Sequence, residues 1–366
     1  MSLVEQAMGR ALNLGVPFSV QLDVTYRCNE RCVHCYLDHN DHGEMTTAEI
    51  YSVLDQLAEA GTFFLILSGG EVFMRRDFLD IVEYARKLMF NVKVKTNGVM
   101  IHEKEAQRLR ELGVEQIQIS VYSHKHDVHD AITKLPGSLK KTIRSIRFLQ
   151  EQGLKVTVAN VLMKQNMSDF KAVQALSKEL GVHYSLDPTI TPMMDGNTDV
   201  LDLRIESKDL LKVFHDETLV GNVEEFCAPP AAAGADELDS YPCSAGHTAC
   251  YISPYGEVTP CVQFPINCGN VREQSFLDIW NDSPQMQQVR NITMRDLHTC
   301  SGCSHGGTCT RCPGLAHMEG DMYGASTSDC EKSFERTGVP SANMLKRGIS
   351  NFETQSSASL VQIQNL

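Results

Sequence analysis

Three cysteines near the start of the chain have the spacing C-x3-C-x2-C. They are Cys28, Cys32 and Cys35, in the stretch TYRCNERCVHCY. Three thiolates leave a single tetrahedral metal ion one ligand short, but they can hold three corners of a cubic [4Fe–4S] cluster and leave its fourth iron open. Zinc is the alternative, and it requires a fourth ligand, for which His34 and His39 are the local candidates. The spacing favours a cluster over zinc.

Composition narrows the class of protein. The chain has 366 residues and a net charge of −13, which argues against nucleic acid as its main partner. No apolar run reaches the roughly 20 residues that span a bilayer, and the N-terminus does not resemble a signal peptide. We therefore expect a cytoplasmic protein without a membrane partner. In that compartment the 13 cysteines, grouped at 28–35 and 227–330, indicate metal binding rather than disulfides.

Strand-like and helix-like patterns alternate from residue 18 to residue 192. This alternation predicts an α/β fold with a parallel sheet and right-handed crossovers. The strands are predicted at 18–24, 63–67, 92–96, 116–121, 155–162 and 183–187, and the helices at 4–13, 46–60, 77–89, 103–112, 138–152 and 168–180. Periodicity does not distinguish an open sheet from a closed barrel. The motifs nevertheless follow strand ends, which is where βα-barrel sites are built.

Changes of pattern along the chain predict five segments. They are an N-terminal helix and extension at 1–17, the α/β domain at 18–192, a linker at 193–240 with one helix at 207–215, a small cysteine-rich domain at 241–335 and a C-terminal tail at 336–366. The cysteine-rich segment has little apolar core and would need metal to hold it together. We expect the tail to be partly disordered.

The stretch Ser68-Gly69-Gly70-Glu71 directly follows the second predicted strand. Glycines allow the backbone to approach a ligand, and a carboxylate can pair with an ammonium group, although an ordinary βα turn is the alternative. Together with the cysteine motif, this stretch resembles the radical S-adenosylmethionine (SAM) superfamily. In that family SAM binds the open iron, and the GGE stretch binds its methionine amino group. Val72 stands where the family usually has proline.

The resemblance implies a partial (β/α)6 barrel and a 5′-deoxyadenosyl radical that abstracts hydrogen from an unactivated carbon. It also implies which residues contact SAM. The ribose and methionine would lie near Thr96, Asn97 and Ser120, and the adenine near His34, the backbone of Tyr36 and Leu162. Structural roles remain the alternative, with Ser120 as a strand-end cap, Leu162 as core, and His129 and Asp130 as a pair that orders a loop.

A second cysteine pattern resembles the SPASM extension of peptide-modifying radical SAM enzymes, which carries two auxiliary [4Fe–4S] clusters. It consists of Cys243-x12-Gly256-x4-Cys261, then Cys300-x2-Cys303-x5-Cys309-x2-Cys312, then Cys330. The last step of the four-cysteine run is usually x3 and is x2 here. The resemblance implies that Cys300, Cys303, Cys309 and Cys330 hold one cluster. It implies that Cys243, Cys261 and Cys312 hold the other, with Cys250 as the fourth ligand and Cys227 or Cys268 as alternatives. Zinc ribbons are the competing interpretation.

The resemblance implies an enzyme of radical chemistry whose cofactors are three clusters and SAM. The auxiliary clusters would accept an electron or bind substrate. Our leading hypothesis is maturation of a ribosomally made peptide by a crosslink, thioether, decarboxylation or epimerisation. The alternatives are a haem or other small-molecule cofactor step and sulfatase-maturase-like oxidation of a protein side chain. The sulfatase-maturase alternative is weakened by Val262, which directly follows Cys261. By resemblance, sulfatase maturases have an aspartate at that position as the general base. A non-enzymatic zinc scaffold would require the strand-end motifs to be accidental.

Two partners follow from the leading hypothesis. An electron donor such as flavodoxin or ferredoxin would reduce the SAM-binding cluster. Only 17 residues precede the first predicted strand, so we expect a separate leader-binding protein to present the peptide, or the leader to dock directly. No catalytic acid or base can be assigned among the polar residues at strand ends, which include Tyr122, His124, His126 and Asp187.

Overall fold

The computed structural model describes residues 3–39 and 41–349. The predicted disorder of the tail from residue 350 onwards lies outside these ranges. The strands are β1 (Ser19–Thr25), β2 (Phe64–Gly69), β3 (Asn91–Thr96), β4 (Gln116–Ser120), β5 (Val156–Val161), β6 (His183–Asp187), β7 (Ala249–Ile252), β8 (Glu257–Thr259) and β9 (Gly269–Asn270).

The helices up to the last strand of the α/β region are α1 (Leu3–Leu14), α2 (Thr47–Glu59), α3 (Phe78–Lys87), α4 (Glu103–Glu111), α5 (His126–Thr133), α6 (Ser138–Glu151) and α7 (Phe170–Glu179). The later helices are α8 (Ser207–Phe214), α9 (Glu217–Val220), α10 (Val223–Phe226), α11 (Ala235–Leu238), α12 (Phe276–Asp282), α13 (Pro284–Arg290), α14 (Pro313–Met318), α15 (Thr327–Thr337) and α16 (Ala342–Lys346). Short 3-10 turns at Val72–Met74, Met167–Asp169, Asp199–Leu203 and Met294–Asp296 complete the set.

The described chain divides into two compact units. The first contains the described residues up to Val200 together with Ser244–Asn291, and the second begins with Leu201–Cys243 and resumes at Ile292. This division differs from the predicted segments, because residues 244–291 of the cysteine-rich region group with the α/β sheet. The physical reason is β7, which pairs in parallel with β1 from Ser19↔Ala249 to Leu22↔Ile252.

One sheet organises the first unit, with strand order β6-β5-β4-β3-β2-β1-β7-β8-β9. The strands from β1 to β6 are parallel to their neighbours, as predicted, and β8 and β9 add an antiparallel extension beyond β7. Alternate side chains such as Leu22, Leu65 and Val94 are buried in a core with the helices. Among the described strands, β6 pairs only with β5. The α/β fold with a partial barrel is therefore confirmed.

Two local features bear on the site. Thr46 caps α2 in the predicted capping box with Glu49. His129 and Asp130 belong to α5, a helix that the sequence analysis missed. Asp130 accepts hydrogen bonds from the backbone of Gly137 and Leu139, and it thereby joins α5 to the start of α6.

The second unit is built from short helices and turns around a small apolar cluster of Ile292, Met294 and Leu297. Helix α8, which was predicted, packs against α15, where the Ser207 hydroxyl donates to Glu335 at 2.6 Å. Most of its cysteines lie between or on these short elements. Across the described parts of both units, the helices are too short or too polar to cross a membrane.

Candidate functional site

The cysteine motif lies on the loop after β1, and Glu44 fixes the start of that loop. One oxygen of its carboxylate accepts hydrogen bonds from the Thr25 hydroxyl and the Tyr26 N–H, both at 2.7 Å. The other oxygen pairs with Arg27 at 3.3 Å. Further along, the N–H groups of Arg31 and Val33 donate to the last carbonyls of α5 at 3.0 Å. The loop is thus held by the strand end on one side and by α5 on the other.

Two glycines bring the end of β2 against the cysteine loop. The Gly70 N–H donates to the Thr25 carbonyl at 2.8 Å, and the Glu71 N–H donates to the Arg27 carbonyl at 2.9 Å. A Cβ on Gly70 would lie 2.5 Å from the carbonyl oxygens of Tyr26 and Arg27. Gly69 has φ +141°, which side chains rarely adopt, and its Cβ would collide with the Thr25 carbonyl. In this structure the glycines therefore permit a close approach to the backbone of the cysteine loop.

Glu71 joins the end of β2 to the end of β3. Its buried carboxylate accepts from the Thr96 hydroxyl and the Asn97 N–H, each at 2.8 Å, and from the Phe73 N–H at 3.1 Å. Burial raises the pKa of Glu71, and these hydrogen bonds oppose that rise. Ser68, the first residue of the SGGE stretch, is also buried.

Asn97 connects this strand-end network to the first cysteine. Its side-chain amide Nδ2 lies 2.8 Å from Asn29 Oδ1 and 3.8 Å from Cys28 Sγ. Its backbone carbonyl accepts from Thr142 at 2.9 Å. The structure therefore brings together the predicted positions Glu71, Thr96 and Asn97 with the cysteine loop.

In the absence of a metal, the surroundings of the three cysteines favour the neutral thiol. Burial, together with the Glu71 and Glu30 carboxylates, raises the pKa of Cys28 to about 12, and burial also raises the pKa of Cys32 and Cys35. Thiols in such surroundings become thiolates when a metal coordinates them. Glu30 Oε1 and Asn29 Nδ2 are buried without a hydrogen-bond partner in the described chain. Cys28, Cys32 and Cys35 would hold the cluster, and nearby polar atoms are available to SAM.

The remaining predicted SAM positions lie around the same strand ends. Burial lowers the pKa of His34 to about 4, and its ring packs edge-on against Tyr122 at 4.8 Å. The Tyr36 carbonyl accepts from the Met194 N–H at 2.9 Å. The Leu162 side chain is fully buried. Ser120 ends β4, and its hydroxyl interacts with Tyr122, whose pKa is raised by burial.

The four polar residues without an assigned role have different environments. Tyr122 is buried beside the cysteine loop, as described above. The other three are exposed, namely His124, His126 and Asp187. None of them gains a catalytic assignment from this arrangement.

A polar network on the inner face of the sheet was missed by the sequence analysis. Asp23 is fully buried and accepts hydrogen bonds from Tyr251 at 2.9 Å and from Gln21 at 3.0 Å. Tyr251 in turn shares a 2.6 Å hydrogen bond with Tyr26. Lys95 donates to Gln21 at 3.0 Å, and burial lowers its pKa. The alternation Gln21-Leu22-Asp23 was the available signal, because it places both polar side chains on the face opposite the apolar core.

Three cysteines of the first unit, which lie on or near β7, β8 and β9, have different surroundings. Cys250 and Cys268 belong to the hydrophobic core, and the positive charge of Arg290 lies near both thiols. Cys261 instead interacts electrostatically with Lys95 and Tyr36. The other two predicted ligands of that cluster, Cys243 and Cys312, belong to the second unit. The ligand set of this cluster, including Cys250 as its fourth member, stays a prediction.

Four cysteines of the second unit line a single cavity: Cys300, Cys303, Cys309 and Cys330. Donors point at two of the sulfurs, because the Ser333 hydroxyl lies 3.2 Å from Cys309 Sγ and the Ala342 N–H lies 3.3 Å from Cys303 Sγ. Four thiols with donors around them are the surroundings that a [4Fe–4S] cluster requires. These are the four residues that the resemblance to the SPASM extension implied as ligands of one auxiliary cluster.

Two cysteines of the same unit are placed differently. Cys312 caps α14, and its N–H donates to Asp329 at 2.8 Å. The Cys227 thiol lies 3.5 Å from the Phe214 carbonyl. All thirteen cysteines fall within the described residues, and none of them forms a disulfide there. In that part of the chain, no three His, Cys, Asp or Glu side chains converge closely enough to hold a single metal ion.

Comparison with known proteins gives two family matches and several relatives. Residues 22–176 match the radical SAM superfamily, and residues 243–313 match the SPASM iron–sulfur cluster-binding domain. The AdoMet-dependent heme synthase of Oleidesulfovibrio alaskensis is 28% identical over 338 residues, covering 83% of this chain and 85% of the relative. The mycofactocin maturase MftC of Mycobacterium tuberculosis is 29% identical over 311 residues, covering 81% and 78%.

A solved structure shares the fold. Streptococcus suis SuiB, bound to its precursor peptide SuiA, superposes with a TM-score of 0.70 at 18% identity, covering 88% of this chain and 78% of that one. The family matches include the cysteine loop, the GGE stretch and the cysteine-rich region up to residue 313, so Cys330 lies beyond them. The chain is therefore an enzyme of the radical SAM superfamily, with a SPASM domain, that binds SAM and [4Fe–4S] clusters.

Proposed function

We propose that the enzyme modifies a ribosomally made peptide, by forming a crosslink or thioether or by decarboxylation or epimerisation. When bound, SAM and the cluster at Cys28, Cys32 and Cys35 supply a 5′-deoxyadenosyl radical that removes hydrogen from an unactivated carbon. No side-chain acid or base can perform that abstraction.

The residues of the chain position these groups. Gly69 and Gly70 set the end of β2 against the cysteine loop, and Glu71 ties it to Asn97. Asn97 reaches the loop at Asn29 and Cys28. Because these contacts involve backbone atoms and buried side chains, the cluster and the SAM contacts would be held in one rigid arrangement.

The open edge of the sheet is the observation that carries the peptide proposal. Strand β6 pairs with β5 alone among the described strands, and its alternate residues His183, Ser185 and Asp187 are exposed. An exposed edge can accept an extended peptide by backbone hydrogen bonds, while its alternate side chains select the sequence. The maturase relative supports the same substrate class.

Haem biosynthesis is the second candidate, and a specific observation favours it. The heme synthase relative aligns with 83% of the chain at 28% identity, which is as extensive a match as the maturase gives. A substrate of this kind is a rigid macrocycle and would not use the β6 edge. The two candidates can therefore be separated by offering both substrates to one enzyme.

The experiment compares the two substrates under anaerobic conditions. Reconstituted enzyme, SAM and a reductant are incubated with a precursor peptide encoded beside the gene, or with an iron porphyrin bearing carboxylate side chains. We expect the peptide to stimulate formation of 5′-deoxyadenosine and to change in mass. With the Cys28/Cys32/Cys35→Ala variant, no 5′-deoxyadenosine should form and the mass of the peptide should not change. A mass change in the porphyrin alone would establish the second candidate instead.

Three clusters, two of them auxiliary, are part of this proposal. The auxiliary clusters would accept an electron or bind substrate, and a flavodoxin or ferredoxin would deliver the initiating electron. We also propose a separate leader-binding protein. Titration of the purified enzyme with precursor peptide tests this point, and tight binding without a third component would contradict it.

A further inference from the structure

Arg311 lies in the wall of the cavity formed by Cys300, Cys303, Cys309 and Cys330. Its side chain is buried, with 4% exposed. Two of its nitrogens are occupied, because Nε donates to the Gly324 carbonyl at 3.1 Å and Nη2 donates to the carbonyls of Gly324 and Met322. The third, Nη1, is buried and has no hydrogen-bond partner in the described part of the chain.

A buried guanidinium with an unpaired donor is costly. Leaving a charged buried donor unsatisfied destabilises the folded state, because its hydration is lost without replacement. Backbone carbonyls satisfy two nitrogens but do not neutralise the charge. Cys300 is within electrostatic reach of Arg311, whose positive charge opposes the rise that burial causes in the pKa of that thiol. A cluster in this cavity would give the charge a partner.

The cavity wall also contains a carboxylate, and it is already engaged. Asp329 accepts the Cys312 N–H at 2.8 Å and lies 3.6 Å from the Lys332 ammonium. His305 is in the wall as well, with Nε2 2.9 Å from the Val339 carbonyl and with its buried Nδ1 unpartnered in the described chain. Because Nε2 carries the proton that the carbonyl accepts, Nδ1 of the neutral ring has no proton to donate. Arg311 is thus the positively charged side chain in the wall whose donor is still available to a cluster.

We propose that Arg311 raises the reduction potential of the auxiliary cluster held by these four cysteines, which suits that cluster to accept an electron. This inference rests on the proposed function, which places a cluster there. One-electron reduction adds one negative charge to the cluster. A nearby positive charge and N–H···S hydrogen bonds stabilise the more negative state, and no proton has to move. The donors from Ser333 and Ala342 act in the same direction.

The test is an anaerobic redox titration followed by EPR. The full chain carries the Cys28/Cys32/Cys35→Ala substitutions, so that only auxiliary clusters contribute to the signal. Arg311→Met should shift the midpoint of one auxiliary signal to lower potential, and Arg311→Lys should shift it less, because the charge remains. The matched control is Arg295→Met, which removes an exposed arginine paired with Asp239 in the same unit. It should leave both midpoints unchanged.

Iron content separates the possible failures. About eight irons per chain show that both auxiliary clusters are assembled, and an unmoved midpoint at that content overturns the role of Arg311. If Arg311→Met loses iron through the lost contacts with Met322 and Gly324, then Arg311→Gln decides, because its amide can still donate to a carbonyl while the charge is gone. An unmoved midpoint in Arg311→Gln overturns the proposal. Absence of iron from the parent background would remove the auxiliary clusters from the proposed function, and it would overturn this inference with them.

Discussion

Gly70 lies in backbone contact with Arg27, since a Cβ at Gly70 would stand 2.5 Å from the Arg27 carbonyl oxygen. The end of β2, with its GGE stretch, and the cysteine loop therefore form one rigid unit. Neither can move without the other, because the contact is between backbones and no side chain can rotate away. This relationship explains why the two motifs occur together on adjacent strand ends.

The first prediction follows from this contact. Gly70→Ala would displace the cysteine loop, and we expect iron to fall from about twelve to about eight atoms per chain, with SAM cleavage lost. Gly9→Ala on α1 is the control, because a Cβ there meets nothing within 4 Å, and it should keep full iron. Full iron and normal SAM cleavage in Gly70→Ala would show that the loop tolerates the displacement.

The second prediction concerns Glu71. Glu71→Gln replaces one accepting carboxylate oxygen with an NH2 group, which donates. Because the Thr96 hydroxyl and the Asn97 N–H beside it also donate, Asn97 should be displaced. We expect SAM affinity to fall about tenfold or more, equivalent to about 1.4 kcal/mol, as measured by anaerobic equilibrium binding. Glu59→Gln on the exposed side of α2 serves as the control. Unchanged affinity in Glu71→Gln would remove Glu71 from the SAM site.

The third prediction concerns pH. Burial raises the pKa of Asp23 from 3.8 to about 6. The folded state therefore binds more protons than the unfolded state between about pH 4 and 6, and stability falls as pH rises through this window. As the pH rises through this range, the Tm of the wild type should fall relative to the Tm of Asp23→Asn, whose side chain cannot titrate.

Anaerobic thermal unfolding across the window measures that difference. The upper limit of the effect is about 3 kcal/mol, from a shift of roughly two units. Asp127→Asn, at an exposed position of α5, should track the wild type. A Tm difference between wild type and Asp23→Asn that is independent of pH would contradict the burial of Asp23.

The fourth prediction separates ligand from non-ligand cysteines in the second unit. Cys330 lines the four-cysteine cavity, whereas Cys227 lies near the Phe214 carbonyl. We expect Cys330→Ala to lose up to four irons and one auxiliary EPR signal, and Cys227→Ala to retain both. Loss of iron in Cys227→Ala would instead make it a ligand.

The sequence was most informative where the structure is local. The six parallel strands follow from short patterns of apolar residues, and the capping box at Thr46 depends on residues three positions apart. The cysteine loop and Ser68–Glu71 could be assigned to one site because consecutive parallel strands end at the same edge of a sheet. Cys300, Cys303, Cys309 and Cys330 were grouped by resemblance, and the structure brings them around one cavity.

What the sequence did not reveal depends on distant partners. The pairing of Cys250 with Val20 joins residues 230 positions apart, and no local pattern encodes it. The network of Asp23, Tyr251 and Tyr26 depends on that pairing, so it was invisible for the same reason. Helix α5 was missed because His126–Thr133 is only eight residues long, which is too short for a periodic pattern to stand out.

The most direct test of the account is anaerobic iron and sulfide analysis with EPR on the reconstituted protein, beside the Cys28/Cys32/Cys35→Ala variant. One SAM-binding and two auxiliary clusters predict about twelve irons per chain in the wild type and about eight in the variant, with SAM cleavage only in the wild type. Zinc in the second unit would leave a radical enzyme without auxiliary electron acceptors. Zinc at every site, with no SAM cleavage, would contradict the account.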